Sequence, residues 1–375
     1  MKNRTAKPLT ARLHMTNITG AGATQLLQSL LPALESDANV LVSEIYLPER
    51  GALSSYVSSR PITRVMVIHR WLPNSISRVL ECTLFARRYN GDTPILVLGD
   101  LPLRCSAPQT VFVQQSNLLR PTVWRWSANS LKYWISRVIF RMNLSFANRF
   151  IVQTNVMHDS LIDTYPKLHG KVHVISQPVP TWLLRHNLHR HGRYLPVNEH
   201  LNLIYPAANY PHKNHALLSG LSTANASDWP VEQLTLTIDS SLNPSPMVPW
   251  IRCTGFLSAQ QMVDAYSKVD ALLFMSSEES YGFPLVEAMY VGLPIICPNL
   301  PYARHMCGNQ AIYFDASSLS SLHSAVVELH KRLARGWWPD WSEQLSSISK
   351  DWDEVAHAML SIVENSEQKK VNQES

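Results

Sequence analysis

A single stretch, residues 270–298, constrains the fold more than any other part of the chain. It reads DALLFMSSEESYGFPLVEAMYVGLPIICP. The apolar run 271–275 has the length of a buried strand, and a polar loop follows at 276–282. Pro284 favours a helix start, because proline's missing N–H costs nothing in a first turn. A second apolar run at 294–297 completes a β–α–β unit, which predicts a parallel, helix-covered sheet.

Two glutamates flank the predicted start of this helix. Glu279 lies in the loop and Glu287 about one turn into the helix, with seven residues between them. The first N–H groups of a helix lack intrahelical partners, so those of Phe283 and Leu285 are expected to bind anionic oxygens. Gly282 allows close backbone approach. Two carboxylates around a phosphate-binding helix start suit a sugar nucleotide, with one acid for the sugar and one for the ribose.

The segment ESYGFPLVEAMYVGLP resembles the Glu-x7-Glu signature of retaining glycosyltransferases, specifically glycosyltransferase family 4 of the GT-B fold. The resemblance covers residues 200–335 strongly and 10–180 diffusely. It implies an α/β GT-B fold of two Rossmann-like parallel-sheet domains facing across a cleft. Residues 1–190 would form the acceptor-binding domain and 191–340 the nucleotide-sugar-binding domain. A C-terminal helix within 341–375 is expected to cross back to the first domain, followed by a disordered tail.

Length and composition agree with two soluble domains. The 375 residues exceed the roughly 250–300 residues beyond which a single core rarely grows. Five scattered cysteines without a CxxC pair favour a reducing compartment over a disulfide framework or structural zinc. No apolar run reaches the roughly 18–20 residues of a membrane span, and the basic first residues lack a signal peptide's apolar core. We therefore expect a cytoplasmic protein, with peripheral contact on the inner face of a membrane as an option.

Charge is divided unevenly along the chain. Residues 1–200 contain 23 Lys and Arg against 10 Asp and Glu, a net +13, and residues 201–375 contain 10 against 18, a net −8. The first half is therefore expected to meet an anionic surface or substrate. A helix predicted at 121–149 interleaves aromatic with cationic side chains, as in helices that contact anionic lipid. The alternative is a helix that packs its aromatics on the sheet with its arginines in solvent; we favour sheet packing for most of the aromatics, and we expect an acceptor-side or membrane role for the cations.

The first half also contains candidate ligand-binding residues. A strand at 11–17, a glycine turn and a leucine-rich helix form a phosphate-approach pattern, and the resemblance places Gly22 against the donor diphosphate. Gln114 and Gln115 follow a predicted strand and correspond to the family's acceptor-binding position. Two amides that cap a loop are the alternative. Asp100, after the preceding strand, has the same two interpretations.

Lys213 is the candidate phosphate-binding cation of the second half. It follows the strand at 201–207 and precedes a helix predicted to begin near Asn214. The segment YPAANYPHKNHALL resembles the family's donor-phosphate segment, in which an arginine and a lysine clamp the leaving group. No arginine precedes the lysine at the usual place. His212 or Asn209 is expected to substitute, or the charge comes from elsewhere.

Two further segments, one in each half of the chain, carry predictions. By the resemblance, Phe256 and Leu257, which follow another strand, would contact the nucleobase. The basic segment 185–194 contains three histidines but no regular helical spacing or nearby acids. We interpret it as a solvated linker rather than a metal site.

The resemblance implies retaining, metal-independent transfer with no cofactor. Glu279 would hold the donor sugar, Lys213 would stabilise the diphosphate and Glu287 would bind the ribose. The partners would be a nucleotide-sugar and a saccharide or lipid-linked acceptor, as in bacterial surface-polysaccharide or lipopolysaccharide biosynthesis. Three alternatives stay open: a GT-B sugar-nucleotide epimerase, an inactive nucleotide-sugar-binding protein that lacks the arginine, and a nucleic-acid-associated protein. No nucleic-acid motif accompanies the basic half, so nucleic acid is not expected.

Overall fold

The structure is a computed structural model that describes residues 9–18, 21–70, 72, 74–119, 128–192 and 194–374. Two compact units divide it. The first comprises the residues up to Pro178 and those from Ser349 onward, and the second comprises Val179–Ile348. Each unit contains one parallel β-sheet with its own hydrophobic core.

The sheet of the first unit has seven strands in the described residues, in the order β3-β2-β1-β4-β5-β6-β7. All of its pairings are parallel, and the central strands β4 and β5 are buried along their whole length, as expected for a sheet covered on both faces. The strands are β1 (Leu9–His14), β2 (Val40–Pro48), β3 (Arg64–Ile68), β4 (Ile95–Val97), β5 (Gln109–Phe112), β6 (Arg149–Val152) and β7 (Val172–Val174). The first helices of this unit are α1 (Ala21–Ser36), α2 (Asn74–Cys82), α3 (Ala128–Asn143) and α4 (Asn155–Thr164).

The described part of the second unit forms a sheet of six parallel strands in the order β10-β9-β8-β11-β12-β13. They are β8 (Leu201–Tyr205), β9 (Val231–Leu236), β10 (Ile251–Cys253), β11 (Ala271–Leu273), β12 (Ile295–Pro298) and β13 (Ile312–Phe314). The helices are α5 (Thr181–His186), α6 (Thr223–Ala226), α7 (Ala259–Lys268), α8 (Phe283–Val291), α9 (Pro301–Cys307), α10 (Leu319–Leu333) and α11 (Ser342–Ser346). The predicted β–α–β unit is therefore β11, α8 and β12.

In both sheets the strand order reverses beside the first strand of the unit. The first unit reverses between β1 and β4, and the second between β8 and β11. Loops that follow two neighbouring parallel strands on either side of such a reversal diverge and leave a crevice, where ligands of doubly wound sheets bind. The predicted α/β class with two Rossmann-like parallel sheets is confirmed, and the crevice at β8 and β11 is the place to look for a site.

The unit boundaries differ from the predicted domain boundaries at 190 and 340. Val179 and Leu183 are buried in the core of the second unit, so the residues directly after Pro178 pack there. Trp341, the first residue of the segment 341–375 that is expected to cross back to the first domain, is also buried in the second core, and its indole N–H donates to the carbonyl oxygen of Leu293 (3.0 Å). Burial of these apolar side chains explains both shifts.

The last helix, α12 (Trp352–Glu374), belongs to the first unit and packs against α1. The sequence predicts a single helix from Trp341. The structure instead separates α11 from α12, and it extends α12 through the tail that is expected to be disordered. The buried side chains of α12 recur at helical spacing and explain its packing: Val355, Ala356, Met359, Leu360 and Val363.

The helix predicted at 121–149 ends earlier than predicted, at Asn143. It corresponds to α3, and residues 120–127, with two of its tryptophans, lie outside the described residues. Ile139 and Phe140 are buried as expected for a helix that packs on a sheet, whereas Trp134 is 51% exposed. The expectation that the aromatics pack on the sheet is therefore wrong for Trp134.

The basic segment predicted as a solvated linker makes specific contacts through Arg190. Its guanidinium donates to the carbonyl oxygens of Tyr266 (3.1 Å), Ser267 (2.9 Å) and Val269 (2.7 Å), where α7 ends. Its backbone N–H donates to the carbonyl oxygen of Val291 (2.6 Å), the last residue of α8. A cation is favourable at a helix carboxyl end, where carbonyl groups lack intrahelical partners. The linker interpretation is therefore wrong at Arg190, which joins the ends of two helices.

Gly292 ends α8 in the left-handed conformation, with φ of 85°. A Cβ atom at this position would lie 2.6 Å from the carbonyl oxygen of Arg190. Any other residue would therefore meet both backbone strain and a steric clash with a main chain that is itself hydrogen-bonded.

We expect Gly292→Ala to destabilise the second unit by more than Gly336→Ala. Gly336 also has a positive φ, 75°, but no atom lies within 4 Å of the position that a Cβ would occupy there. The control should therefore cost only left-handed strain, on the order of 1–2 kcal/mol, and Gly292→Ala should add the clash. Chemical denaturation of both variants measures the difference, and equal losses of unfolding free energy would contradict the Arg190 contact.

Candidate functional site

Two loops of the second unit meet at the carboxyl ends of β8 and β11. The carbonyl oxygen of His212 accepts hydrogen bonds from the backbone N–H of Ser277 (2.7 Å) and from the hydroxyls of Ser276 and Ser277 (3.1 Å each). On the other side, the hydroxyl of Tyr205 donates to the carbonyl oxygen of Lys213 (2.8 Å). The bonds to the His212 carbonyl fix the loop after β8 against the loop after β11, and the Tyr205 bond holds the loop after β8 on its own strand.

Lys213 and Glu279, the two predicted catalytic residues, form an ion pair between these loops. The Lys213 ammonium donates to Oε1 of Glu279, and the side chains are 16% and 12% exposed. The ammonium also lies 5.8 Å from the centre of the Phe274 ring. A lysine ammonium has three N–H donors and a carboxylate has two oxygens, so each partner retains capacity for a ligand. The arrangement can bind a phosphate and a hydroxyl group side by side.

His212 does not supply the cation that the sequence lacks. Burial and the neighbouring Lys213 lower the pKa of His212, so its imidazole is neutral at neutral pH. The ring stacks on Tyr210, with centroids 5.7 Å apart and planes 5° apart. Asn209, the other expected substitute, is exposed and uncharged. Lys213 is therefore the one lysine or arginine in the described segment 206–222, which follows β8.

The helix predicted to begin near Asn214 is replaced by two 3₁₀ turns, Pro211–Lys213 and His215–Gly220. Asn214 has a φ of 58°, and its side-chain amide donates to the carbonyl oxygen of Ala316 (2.8 Å). A left-handed residue interrupts a right-handed helix. The expectation of a helix dipole beside Lys213 is therefore wrong, and the lysine would act through its own charge.

The start of α8 has the predicted conformation, but one backbone N–H group that is expected to be free has a hydrogen-bond partner. Gly282 has a φ of 84°, and a Cβ there would lie 3.2 Å from Cδ1 of Leu285. The N–H of Leu285 donates to the carbonyl oxygen of Gly282 (2.9 Å), so the expectation that it is free is wrong. Phe283 and Pro284 are partly exposed at the first turn. The ring of Phe283 lies edge-on to the buried ring of Tyr281, 5.1 Å away.

Glu287 lies inside the unit rather than on its surface. The residue is 5% exposed, and its Oε2 accepts a hydrogen bond from the hydroxyl of Tyr266 (2.7 Å). Burial raises the pKa of Glu287 to about 7, and the Tyr266 hydrogen bond opposes that rise. The pKa of this carboxyl group therefore lies close to neutral pH. Its assignment to a donor ribose stays a prediction.

Phe256 and Leu257 lie beyond the end of β10 and differ in burial. Gly255 precedes them with a φ of 71°. The Phe256 side chain is 89% exposed, whereas Leu257 packs partly against the core of the unit. An exposed aromatic ring after a strand end has the surface to stack on a nucleobase, so the predicted contact is compatible with the position of Phe256.

In the first unit, Asp100 connects the two predicted acceptor-binding residues. Its Oδ1 accepts hydrogen bonds from the N–H groups of Gln114 (2.6 Å) and Gln115 (3.0 Å), and Oδ2 accepts one from the Gln115 amide (2.8 Å). Arg78 lies 3.8 Å from Oδ2. Burial raises the pKa of Asp100 although these groups oppose it, and its φ of 67° is unusual for a non-glycine residue. Strained backbone of this kind is often found at functional sites.

Gly22 and His14 lie on the β1 side of the point where the strand order of the first sheet reverses. Gly22 lies in the first turn of α1 rather than in a loop, with no atom within 4 Å of a Cβ position. Residues 19–20 of the predicted glycine turn lie outside the described residues. His14 is fully buried and lies 3.2 Å from the Thr16 hydroxyl. Burial lowers the pKa of His14 to about 3, so this histidine is neutral.

Among the described residues, no group of three or more His, Cys, Asp and Glu residues is placed to hold a metal ion. Across the same residues, no helix combines the length and the apolar character of a membrane span. The sequence contains an Asp-x-Asp triplet at 351–353, but Asp351 accepts a hydrogen bond from the N–H of Glu354 (2.8 Å) at the start of α12.

Sequence patterns do not single out Arg190 and Tyr266 as members of these sites. Both residues make their contacts across long sequence separations. A signal exists for Tyr266, because it shares the buried face of α7 with Met262 and Val263. A tyrosine at a core position needs a partner for its hydroxyl group.

The part of the chain that contains this site is similar to known proteins. Residues 249–331, which contain β11, α8 and β12, match the family "Glycosyl transferases group 1". The mannosyltransferase WbdA of Escherichia coli is 27% identical over 110 residues, which cover 27% of this chain and 14% of WbdA. The O-antigen chain mannosyltransferase RfbU of Salmonella typhimurium is 21% identical over 206 residues, which cover 52% of this chain and 54% of RfbU. The chain thus spans about half or less of these relatives.

The fold is similar to that of solved structures over almost the whole chain. Sucrose-phosphate synthase from Thermosynechococcus elongatus superposes with a TM-score of 0.61 at 14% identity, covering 98% of this chain and all of that one. At this identity the likeness establishes the fold alone. The chain has the two-domain α/β fold of GT-B glycosyltransferases, and residues 249–331 of its second unit are similar to the family "Glycosyl transferases group 1".

Proposed function

We propose that the protein is a retaining, metal-independent glycosyltransferase of family 4, which moves a sugar from a nucleotide-sugar donor to a saccharide or lipid-linked saccharide acceptor. The observation that carries the proposal is the contact between Lys213 and Glu279 at the reversal of the second sheet. The Glu-x7-Glu spacing and the group 1 match over the same segment support it. Glycosyl transfer at this site would take place on the cytoplasmic side of a membrane.

The chemistry requires charge stabilisation on the leaving group. The bond between the donor's anomeric carbon and its diphosphate oxygen breaks, and a bond to the acceptor oxygen forms on the same face. The acceptor proton passes to the departing diphosphate. Lys213 would stabilise the developing negative charge, since a preorganised cation in a partly buried site acts strongly on a transition state. Glu279 would orient the sugar by accepting hydrogen bonds from its hydroxyls.

Mannose is the donor sugar that we propose to test first. WbdA and RfbU are both named as mannosyltransferases, and RfbU acts on an O-antigen chain. A role in lipopolysaccharide or other surface-polysaccharide biosynthesis follows by analogy. GDP-mannose, UDP-glucose and UDP-galactose form the screening set, each with and without a lipid-linked oligosaccharide. Nucleotide release that depends on the acceptor would separate a transferase from an epimerase or an inactive binding protein.

Glu279→Ala should lower the turnover number by about 100-fold or more, because the sugar loses its orientation and Lys213 loses its partner. Release of the nucleoside diphosphate in the presence of donor and acceptor measures the effect. Glu278→Ala is the matched control, since Glu278 is the exposed neighbour in the same loop. A near-native rate for Glu279→Ala, or an equal loss in both variants, would exclude this assignment.

EDTA should leave the transfer rate unchanged. The proposed charge stabilisation comes from Lys213, so chelation of divalent cations removes nothing that the reaction needs. The assay compares initial rates in buffer, in EDTA, and in EDTA followed by excess magnesium or manganese. Loss of activity in EDTA and its recovery on adding either metal would overturn the metal-independent part of the proposal.

A peripheral membrane contact is part of the proposed function, and one face of the first unit supports it. We define the α2–α3 face as the exposed apolar residues Leu84, Phe85, Trp134, Val138 and Met142 with the exposed arginines Arg87, Arg88 and Arg141. The ends of its two helices are adjacent, because the Asn143 amide donates to the carbonyl oxygen of Cys82 (2.9 Å). Trp134, Val138 and Met142 recur every four residues and so lie on one side of α3.

Charge points to an anionic lipid surface as the occupant of this face. Residues 101–158 contain seven Lys and Arg and no Asp or Glu. Exposed aromatic and aliphatic side chains surrounded by arginines are typical of surfaces that insert into a headgroup region. Each arginine near an anionic bilayer contributes on the order of 1 kcal/mol. A lipid-linked acceptor would be presented at such a surface.

Trp134→Ser combined with Met142→Ser should weaken binding to phosphatidylglycerol vesicles about tenfold, measured by co-sedimentation. The matched control replaces Val197 and Met247, exposed apolar residues of the second unit, with serine. Wild-type binding should fall as salt is raised and should be much weaker on phosphatidylcholine vesicles. Absence of binding at any salt concentration, or equal weakening by the control, would contradict the contact.

A further inference from the structure

One buried contact in the second unit joins Glu287 to a residue that the proposed reaction has not used. Tyr266 on α7 is fully buried, and its hydroxyl donates to Oε2 of Glu287 on α8 at 2.7 Å. A hydroxyl or a carboxyl group removed from water is costly unless it has a hydrogen-bond partner. The contact satisfies both groups and holds the Glu287 carboxyl in one orientation.

Arg190 fixes the spacing between the two helices that carry this pair. Its guanidinium binds the carbonyl oxygens at the end of α7, including that of Tyr266 itself, and its main chain binds the end of α8. The tyrosine and the glutamate therefore sit on helices that are tied together at their carboxyl ends. Their contact is set by the fold of the unit and not by the side chains alone.

Ionisation of Glu287 depends on the same hydrogen bond. Burial raises the pKa of Glu287 to about 7, and donation from Tyr266 lowers it. Burial and the Tyr266 hydrogen bond are the causes of this shift among the described residues. At neutral pH, the fraction of Glu287 that is charged therefore follows the strength of the Tyr266 hydrogen bond.

We propose that Tyr266 is a positioning residue, which presents the ionised Glu287 carboxylate to the vicinal hydroxyls of the donor's ribose. The inference rests on the proposed function, because it takes a nucleotide as the ligand. With Oε2 held by the tyrosine, the remaining carboxylate lone pairs accept hydrogen bonds from the ribose. The tyrosine touches neither the donor nor the reacting atoms and acts through the glutamate.

Tyr266→Phe tests this role because it keeps the ring and removes the hydroxyl. Calorimetric titration with UDP and GDP and with their 2′-deoxy counterparts, from pH 6 to pH 9, measures the preference for a ribose. At pH 7 the variant should lose about tenfold of that preference. An ionised carboxylate binds above its pKa, so binding is lost as pH falls through that value. Removing the bond that favours the carboxylate should move the midpoint of the loss to higher pH.

Two further variants separate positioning from packing. Glu287→Gln should abolish both the ribose preference and its pH dependence, with or without Tyr266→Phe. Tyr313→Phe is the matched control, since its hydroxyl donates to the backbone carbonyl of Gly308 in the same unit. It should leave both quantities unchanged. With a donor sugar, Tyr266→Phe should raise KM about tenfold and leave kcat within twofold.

A measurement without nucleotide distinguishes failure of this inference from failure of the proposed function. The ¹³Cδ resonance of Glu287, assigned by its loss in Glu287→Gln, reports the carboxyl titration directly. Tyr266→Phe should move its midpoint upward. An unchanged midpoint would overturn the positioning role, as would a shifted midpoint with an unchanged ribose preference. If no nucleotide binds the wild-type protein while the resonance shifts as expected, the proposed function fails and the ribose role falls with it.

Discussion

Parallel pairing of the strands is the constraint on which the rest of the second unit depends. Because all six strands run the same way, their carboxyl ends lie at one edge, and the reversal between β8 and β11 separates the loops that follow them. Hydrogen bonds from Ser276 and Ser277 to the His212 carbonyl then set the distance between these loops. The ion pair of Lys213 and Glu279 follows from that backbone arrangement, and so does its position at the surface of the unit.

Charge at this site is sparse, and each group has a defined partner. Lys213 is paired with Glu279, His212 is kept neutral by burial and by its lysine neighbour, and Glu287 lies near half-ionisation inside the unit. A diphosphate would therefore meet one strong cation instead of the arginine and lysine that related segments provide. In the proposed reaction, the closeness of that cation to a carboxylate would limit how tightly the leaving group is held.

Local sequence patterns predicted the strands and the start of α8 because apolar runs and proline placement act within a few residues. Lys213 and Glu279 could also be chosen as candidates from the sequence, since each follows a strand whose carboxyl end can be recognised; the structure brings them into contact, and their catalytic roles stay predictions. The misassigned features depend on contacts between distant residues. Asn214 takes its left-handed conformation with a partner in the Ala316 backbone, and Arg190 binds the carbonyl oxygen of the distant Tyr266. Neither neighbour can be identified from spacing along the chain.

Because of the contacts of Arg190, the segment of chain that connects the two sheets should tolerate added or deleted residues poorly. Segments rich in basic residues and lacking periodicity are usually places where chains gain or lose residues freely. Here one added or deleted residue shortly before Arg190 would draw its guanidinium off three carbonyl oxygens and displace the main chain that closes over Gly292. Homologous chains that keep a glycine at the end of this helix should therefore keep the length of that connection, even where its sequence differs.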